Sequence, residues 1–431
     1  IAIGILIASE QIQGFDTVED YYIMGELSLD GTLQPVRGAL PVAIEAKKRG
    51  KKGIILPIQN GREAAIVNGI EVLGVENIKQ VIDFFNEGIP IQKTEINIKE
   101  EFRKKLNEYE FDFSDVKGQE NIKRALEIAA AGGHNAILIG PPGSGKTMLA
   151  KRIPSILPPL TLNEALETTK IHSVAGKMSR YASLISVRPF RAPHHTISDV
   201  ALVGGGSHPQ PGEISLAHNG VLFLDELPEY KRTVLEVMRQ PLEDRYVTIS
   251  RSKYTVEFPA SFMFIAAMNP CPCGNYNHPK IACTCGQGNV QRYLSKISGP
   301  LMDRIDIHVE VIPVSHEELA STKPIEKSEV IRGRVVAARE VQKRRFEQHP
   351  AIFCNAQMSS KMVREHCHIS EAGQMLLKTA MEKLGLSARA FDRILKVART
   401  IADLEQSPDI RIEHLSEAIN FRSLDRDNWG K

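Results

Sequence analysis

The sequence predicts an α/β fold, with strands and helices alternating through its centre and helices alone toward its end. The first observation is the run Gly140–Thr147 (GPPGSGKT), which follows an apolar strand-like segment and opens a helical pattern. The second is a pair of apolar segments, residues 221–224 and 262–268, each followed directly by polar side chains. The third is helical spacing of apolar residues after Pro313. Strands that each lead through a loop into a helix are typical of a parallel sheet.

Length and composition indicate a soluble protein of two or three domains. A chain of 431 residues exceeds one ordinary core, and 42% apolar with 25% charged residues is usual for globular proteins. Because 54 Lys and Arg residues balance 52 Asp and Glu residues, no global charge indicates a nucleic-acid or membrane partner. Any basic binding surface must therefore be local.

The apolar start of the chain is not expected to span a membrane. Residues 1–8 are too few, and no basic segment precedes them. Since the chain begins with Ile and not Met, we expect the true N-terminus to lie upstream. Six cysteines in a long chain without a secretory signal favour a reducing compartment, so a cytoplasmic location is predicted.

Residues 1–90 are predicted to form a small α+β domain. A strand-like segment over residues 22–29 leads into the turn Asp30-Gly31, and a helical stretch at 39–49 precedes the apolar strand 53–57. The polar residues 91–112, with alternating Lys and Glu, are predicted to be a linker. A second domain would then occupy residues 113–315.

The octet at the start of this second domain fits the pattern G-x-x-x-x-G-K-[ST], which binds nucleoside triphosphates. Its glycines let backbone N–H groups converge on phosphate oxygens, Lys146 can neutralise β- and γ-phosphate charge, and the Thr147 hydroxyl can ligate magnesium. A glycine-rich helix cap is the alternative, which the strand-to-helix context disfavours. The predicted nucleotide-binding residues are Gly140, Pro141, Pro142, Gly143, Ser144, Gly145, Lys146 and Thr147.

Two later strand ends carry the side chains that hydrolysis requires. Asp225 and Glu226 follow the buried strand 221–224, a Walker B pattern in which Asp225 would hold magnesium and Glu226 would polarise the attacking water. Asn269 follows the strand 262–268 and could orient that water. The alternatives are a core strand with two solvated acids, and a turn-forming asparagine.

This order of motifs, continued by Pro300–Arg304 and Ser387–Arg389, resembles that of AAA+ ATPases from about residue 113 to residue 425. Within them, the chain resembles the magnesium-chelatase-like branch and, most specifically, the YifB/ComM family. The segments that carry this resemblance are FRAPHHT at 190–196, GGGS at 204–207, PGEISLAHNG at 211–220, MNPCPCG at 268–274 and SGPLMDRID at 298–306.

The resemblance implies a three-layer αβα core with a parallel sheet over residues 113–315, followed by a helical lid, or magnesium-chelatase-like C-terminal domain, over residues 316–431. It implies that Arg304 is an arginine finger that acts on a neighbouring subunit, and that Arg389 is a second sensor. A finger acting in trans implies a homo-oligomeric ring, expected to be a hexamer. The alternative for Arg304 is a salt bridge with Asp303 or Asp306.

The first domain resembles the Lon protease fold, which is ribosomal S5 domain 2-like, through residues 25–31, 36–38 and 54–57. A Ser–Lys dyad is needed for that protease activity. The family's lysine should lie near Pro41 or Val42, and the segment that would carry the serine precedes Ile1. We therefore expect a non-proteolytic scaffold or interaction module, truncated at its N-terminus.

A cluster of cysteines after Asn269 is a candidate zinc site. Cys271, Cys273, Cys283 and Cys285 form two C-x-C pairs, which suit tetrahedral zinc in a structural role. His278 could replace one thiolate, and a loop of free thiols is the alternative. Cys354 and Cys367 are interpreted as packing residues.

Local basic segments are the candidate DNA contacts. Residues 246–258 form two strand-like runs around a polar tip that carries Arg251 and Lys253, and they are predicted to be a hairpin. The family resemblance implies that this hairpin projects into the pore of the ring, where its two cations would bind the phosphate backbone. A surface hairpin with two solvated cations is equally compatible. Two further basic segments are predicted to be a polar loop (Arg188, Arg191, His194, His195 and His208) and a solvated helix face (residues 332–345).

The leading hypothesis is a cytoplasmic, ring-forming ATPase that uses ATP and Mg²⁺ to move single-stranded or branched DNA through its pore. The family resemblance implies helicase-like branch migration during natural transformation and recombination. A rival is an ATPase subunit that remodels a protein partner, as in magnesium chelatase. A Lon-like protease is a third hypothesis, which the absence of the dyad lysine disfavours.

Overall fold

The computed structural model describes most of the chain. The described residues are 1–12, 15–105, 109–178, 183–206, 209–251, 254–276, 281–314, 316–320, 324–349 and 351–422. The chain divides into two units, one formed by Ile1–Glu108 with Pro159–Val187 and the other by Tyr109–Pro158 with Arg188–Lys431. Each unit is described by itself below.

The strands of the described residues are β1 (Tyr21–Ile23), β2 (Glu26–Leu27), β3 (Leu33–Gln34), β4 (Gly53–Pro57), β5 (Glu71–Val75), β6 (Ala136–Ile139), β7 (Phe190–Arg191), β8 (Gly204–Gly205), β9 (Gln210–Pro211), β10 (Val221–Leu224), β11 (Tyr246–Arg251), β12 (Tyr254–Pro259), β13 (Met263–Met268) and β14 (Ile307–Glu310).

The α-helices of the same residues are α1 (Ala2–Ala8), α2 (Phe15–Glu19), α3 (Ala39–Lys48), α4 (Ile58–Ala64), α5 (Ile78–Glu87), α6 (Ile98–Lys105), α7 (Glu120–Gly132), α8 (Lys146–Ile156), α9 (Leu162–Val174), α10 (Asp199–Val203), α11 (Glu213–Leu216), α12 (Arg232–Val237), α13 (Arg239–Asp244), α14 (Gln287–Leu294), α15 (Gly299–Met302), α16 (His316–Ala320), α17 (Ser328–Arg345), α18 (Ser360–His366), α19 (Glu371–Leu384), α20 (Ala388–Leu404) and α21 (Ile412–Asn420).

The first unit is built on a parallel sheet with the strand order β1-β4-β5. The central strand β4 occupies residues 53–57 as predicted, and all of its residues are buried. Ile55 belongs to the apolar cluster on one face, whereas Ile54 and Leu56 belong to the cluster on the other. Helices cover both faces of the sheet, as is usual for a parallel sheet.

Two segments outside the predicted first domain also pack into this unit. Helix α6 lies within the predicted linker, and its Ile98 and Phe102 pack against an apolar cluster. That cluster combines Leu40 and Ile66 with Leu160, Ala165 and Leu184, which follow the phosphate loop in sequence. Residues 159–187 therefore leave the second unit and complete a core of the first.

The second unit contains a parallel sheet with the strand order β14-β6-β13-β10-β7. Strands β6, β10 and β13 are buried throughout, as continuous apolar strands of a parallel sheet should be. β13 lies between β6, which precedes the phosphate loop, and β10, which precedes Asp225. The predicted α/β class is confirmed, and the carboxyl ends of these three strands meet at one edge.

Alternating residues of this sheet face two apolar layers. Leu138, Phe223 and Ile265 belong to the core that contains α7, α8 and residues of α17 and α20. Leu222 and Phe264 belong to the opposite core, which contains residues of α12, α13 and α14. The sheet is therefore covered on both sides, which gives the three layers that the family resemblance implied.

The predicted helical tail is confirmed by α17, α19 and α20. Its centre is a buried charged network in which Arg345 donates two hydrogen bonds to Asp403, at 2.7 and 2.5 Å. Arg399 and Asn355 also donate to Asp403, so this fully buried carboxylate is well compensated. Among the described residues, none of the helices is long and apolar enough to cross a membrane.

Candidate nucleotide site

The loop between β6 and α8 has the backbone shape of a phosphate cradle. Gly143 and Gly145 adopt φ angles of 75° and 88°, a left-handed region that favours glycine. Among the described residues, a Cβ added at Gly143 would meet no atom within 4 Å, whereas one at Gly140 would lie 2.3 Å from the carbonyl oxygen of Val311. The loop is thus tightly packed at its start and open at its centre, where a phosphate would enter.

Lys146 lies at the base of this loop with its ammonium group fully engaged. Its Nζ donates to the carbonyl oxygens of Gly140 at 2.7 Å and Pro141 at 2.9 Å, and to Oδ1 of Asn269 at 3.2 Å. Burial lowers the pKa of Lys146, while the nearby carboxylates of Asp225 and Glu226 act in the opposite direction. A phosphate would satisfy the desolvated ammonium better than neutral carbonyl groups do.

Thr147 and Asp225 meet at the edge of the sheet. The Thr147 hydroxyl donates to Oδ2 of Asp225 at 2.5 Å, and Oδ1 of Asp225 accepts the backbone N–H of Glu226 at 2.9 Å. A hydroxyl and a carboxylate oxygen in direct contact are the hard ligands that Mg²⁺ prefers. These two residues therefore fit the metal that the sequence predicts between them.

Glu226 has an unusual backbone conformation and a partner that the sequence analysis missed. Its φ and ψ angles are 52° and 47°, and left-handed non-glycine residues often mark functional sites. Nδ1 of His195 lies 3.2 Å from Oε2 of Glu226, whose side chain is 57% exposed. No sequence spacing links the two residues, because His195 comes from the insertion between α9 and β10.

The described part of that insertion contains short strands and a helix where a polar loop was predicted. Arg191 ends the short strand β7 and donates two hydrogen bonds to Glu213, at 2.6 and 2.7 Å. The Tyr230 hydroxyl donates to the carbonyl oxygen of Pro193 at 2.6 Å and so fixes the segment that carries His195. His208 lies outside the described residues.

Asn269 completes the set at the end of β13. By accepting the hydrogen bond from Lys146, it connects the phosphate loop to the strand that separates it from Asp225. Gln119 is a further residue that the sequence analysis missed. Its side-chain amide donates to the carbonyl oxygen of Ser144 at 2.8 Å and supports the loop from the segment before α7.

Arg304 and Arg389 make their contacts elsewhere in the second unit. Arg304 donates to Glu243 and, at 2.6 Å, to the carbonyl oxygen of Pro300, and its side chain is 14% exposed. The hydrogen bond from Arg304 lowers the pKa of Glu243. Arg389 lies 3.4 Å from Asp303 and is 67% exposed. Within the described part of this chain, neither guanidinium is hydrogen-bonded to the phosphate loop or to Asp225, Glu226 or Asn269.

The predicted hairpin and the helix predicted to have a solvated basic face differ in outcome. β11 and β12 pair in antiparallel register from Tyr246↔Pro259 to Arg251↔Tyr254, so the predicted hairpin is confirmed. Lys253 and the side chain of Arg251 lie outside what the structure describes. On helix α17, by contrast, Arg334 pairs with Glu127 and Glu326, and other arginines of the helix bond within the unit.

The four clustered cysteines converge as the sequence predicts. Their Sγ atoms all lie within 4.8 Å of one another, and the four residues are Cys271, Cys273, Cys283 and Cys285. None of them is in a disulfide. His278, the alternative ligand, lies outside the described residues. Cys354 and Cys367 are buried apart from the cluster, as packing residues should be.

Comparison with known proteins gives matches along the whole chain. The family model described as magnesium chelatase, subunit ChlI matches residues 112–319, and its C-terminal counterpart matches residues 325–422. A model described as subunit ChlI of Mg-chelatase matches residues 1–60. The chain is 44% identical over 427 residues to YifB of Escherichia coli, covering 99% of the chain and 81% of that protein.

The chain belongs to the YifB/ComM family of magnesium-chelatase-like AAA+ proteins. A second relative in this family is the competence protein ComM of Haemophilus influenzae, 43% identical over 429 residues, with 99% of the chain and 82% of that protein covered. Similarity to Lon protease 2 of Bacillus subtilis is partial, with 30% identity over 202 residues, 40% of the chain and 35% of that protein. Family membership accounts for both the parallel-sheet core and the helical tail.

Proposed function

We propose that this YifB/ComM family member is a cytoplasmic, ring-forming ATPase that moves single-stranded or branched DNA. The observation that carries ATP hydrolysis is the convergence of Lys146, Thr147, Asp225 and Asn269, joined by hydrogen bonds at the ends of three adjacent strands. Glu226 follows Asp225 directly and is the candidate base.

Each residue has a separate task in this proposal. Lys146 binds the β- and γ-phosphates, and Thr147 and Asp225 hold Mg²⁺, which supplies charge neutralisation when bound. Glu226 accepts the proton that the attacking water loses, and Asn269 orients that water. His195 fixes the Glu226 carboxylate through the contact described above.

Assembly into a homo-oligomeric ring, a hexamer in this proposal, would complete the site. Within the described residues, neither Arg304 nor Arg389 is hydrogen-bonded to the phosphate loop. An arginine supplied by a neighbouring subunit could act there, and such fingers contribute about 10³ to 10⁵ in rate. The exposed Arg389 would act as the second sensor. This arrangement would make hydrolysis depend on assembly.

DNA is the proposed substrate for movement, with branch migration as the activity. The support is the hairpin of β11 and β12, whose tip sequence carries Arg251 and Lys253, together with the 43% identity to a competence protein. Phosphate binding by two cations would be salt-dependent. The first unit, whose Pro41 and Val42 cannot act as a base, would be a non-proteolytic scaffold.

Remodelling of a protein partner is the rival function. The matches to magnesium chelatase subunit ChlI favour it, because they cover residues 112–319 and 325–422. The two functions share the ATPase and differ in what the ring engages.

The test is the ATPase rate of the purified chain with and without single-stranded and branched DNA, across a salt series. A motor that grips phosphates should be stimulated by DNA and should lose that stimulation steeply as salt rises. A variant with both Arg251→Ala and Lys253→Ala should keep its basal rate and lose the stimulation. Indifference of the parent chain to DNA would favour the protein-remodelling function.

A further inference from the structure

The cysteine cluster has the dimensions of a single-metal site. The Sγ–Sγ distances are 3.4 Å for Cys271 and Cys273, 3.7 Å for Cys271 and Cys283, and 3.6 Å for Cys273 and Cys283. A disulfide bond would bring two sulfurs to about 2 Å. Tetrahedral coordination with Zn–S distances of about 2.3 Å separates sulfurs by roughly 3.8 Å. These three distances, together with the Cys285 sulfur within 4.8 Å of the others, fit four ligands around one ion.

The cluster is also joined to the phosphate loop. Gly274 follows Cys273 in a turn closed by a hydrogen bond from its N–H to the carbonyl oxygen of Cys271, at 3.0 Å. Its φ angle is +80°, and a Cβ added there would lie 2.4 Å from Cδ of Pro142. The backbone of the cysteine turn therefore touches the phosphate loop at a point where only glycine fits.

The same segment carries Asn269 at its start. Asn269 contacts Lys146, and Cys271 follows two residues later, buried and accepting the Tyr276 N–H at 3.3 Å. One short segment thus reaches the phosphate loop twice, through Asn269 and through Gly274. A metal that fixes its fold would also fix these two contacts.

We infer that Cys271, Cys273, Cys283 and Cys285 bind one structural Zn²⁺, and that this site braces the phosphate loop and Asn269 for nucleotide binding. The metal part follows from the sulfur geometry alone. The bracing part rests on the proposed ATP-binding function. Four protein ligands leave no open position, so the ion has no role in the chemistry of the reaction.

Metal analysis of the full chain, purified under reducing conditions, tests the site. One zinc per chain is expected, and Cys271→Ser with Cys283→Ser should reduce it at least fivefold. Cys354→Ala, at a buried cysteine outside the cluster, should leave it unchanged, and Cys285→His should retain zinc because imidazole is also a ligand. Iron in place of zinc, or less than about 0.2 zinc per chain in the parent, would overturn the assignment.

The affinity for a fluorescent ATP analogue tests the bracing. Removal of zinc by a thiol-reactive mercurial and chelator should weaken that affinity at least tenfold, and re-addition of zinc after reduction should restore it. Gly274→Ala should weaken it while zinc stays bound, because the new Cβ would displace Pro142. Unchanged affinity for the nucleotide in both cases would overturn the inference that the zinc site braces the phosphate loop.

A Lys146→Ala variant separates failure of the inference from failure of the proposed function. This variant should bind the nucleotide about 10- to 100-fold more weakly and keep one zinc per chain. If it bound the nucleotide as tightly as the parent, the phosphate-loop assignment itself would be wrong, and the zinc stoichiometry would still stand by its own measurement.

Discussion

Replacement of Glu226 by Gln should separate ATP binding from ATP hydrolysis. Glutamine keeps the size of the side chain and a similar backbone preference, so the left-handed conformation at φ 52° should persist. It cannot accept the proton of the attacking water. Loss of a general base costs about 10²- to 10⁴-fold in rate, and we expect turnover to fall within that range.

Folding and binding should change little in this variant. The Glu226 side chain is 57% exposed, and its contact with Nδ1 of His195, at 3.2 Å, is the one that the substitution alters. Exposed pairs contribute about 0 to 1 kcal/mol, so the unfolding midpoint should move by only a few degrees. Nucleotide affinity should stay equal or rise, because one negative charge near the γ-phosphate is removed.

Phosphate release and fluorescent-analogue binding measure the two effects on the same samples. Glu229→Gln is the matched control, since Glu229 is an acid three residues away whose partner is the surface residue Lys296, at 3.5 Å. The control should hydrolyse ATP at the parent rate. Turnover by Glu226→Gln within threefold of the parent would refute the role of Glu226 as the base.

Three further predictions follow from single residues. Lys146→Ala removes charge-assisted hydrogen bonds of about 1.5–3 kcal/mol and should weaken ATP binding about 10- to 100-fold in an equilibrium binding titration; parent affinity would contradict the site. Arg304→Ala should lose hydrolysis in assembled rings, and mixing it with Lys146→Ala should restore part of the rate if the finger acts in trans; no rescue at any ratio would count against that role. Burial and the Arg422 charge hold the pKa of His308 well below its usual value. Below about pH 6.5 the unfolded chain therefore binds a proton that the folded chain does not, and stability should fall on acidification by up to about 1.4 kcal/mol per pH unit. Urea unfolding at pH 7.5 and 5.5 should show a smaller difference for His308→Gln, and an equal difference would exclude this histidine as the cause.

The sequence predicted the parts of the fold that repeat a local pattern. β10 and α20 have the predicted bounds, because a run of four apolar residues and a long amphipathic period each admit one interpretation. The phosphate loop and the residues after β10 and β13 were also predicted, since parallel strands bring their carboxyl ends to one edge. The hairpin of β11 and β12 followed from two β-like runs around a polar tip.

Contacts between distant segments could not be predicted in this way. Nothing in the spacing of His195 indicates that it meets Glu226, and the partner of Arg304 proved to be Glu243, not the neighbouring Asp303 or Asp306. The basic face of α17 looked solvated because its acidic partners come from other elements. Such pairings depend on tertiary packing, which local patterns in a single sequence do not indicate.

The passage of residues 159–187 through the first unit has a consequence for how the chain can be divided. The chain crosses between the units three times, after residues 108, 158 and 187. A truncated chain beginning at residue 109 would keep Leu160, Ala165 and Leu184 without Leu40 and Ile66, which pack against them. Helix α8 begins at Lys146 and ends at Ile156, two residues before one of these crossings. The chain thus enters the first unit shortly after the end of the helix that begins at Lys146, and removing residues 1–108 would leave residues 159–187 without the apolar partners that cover them.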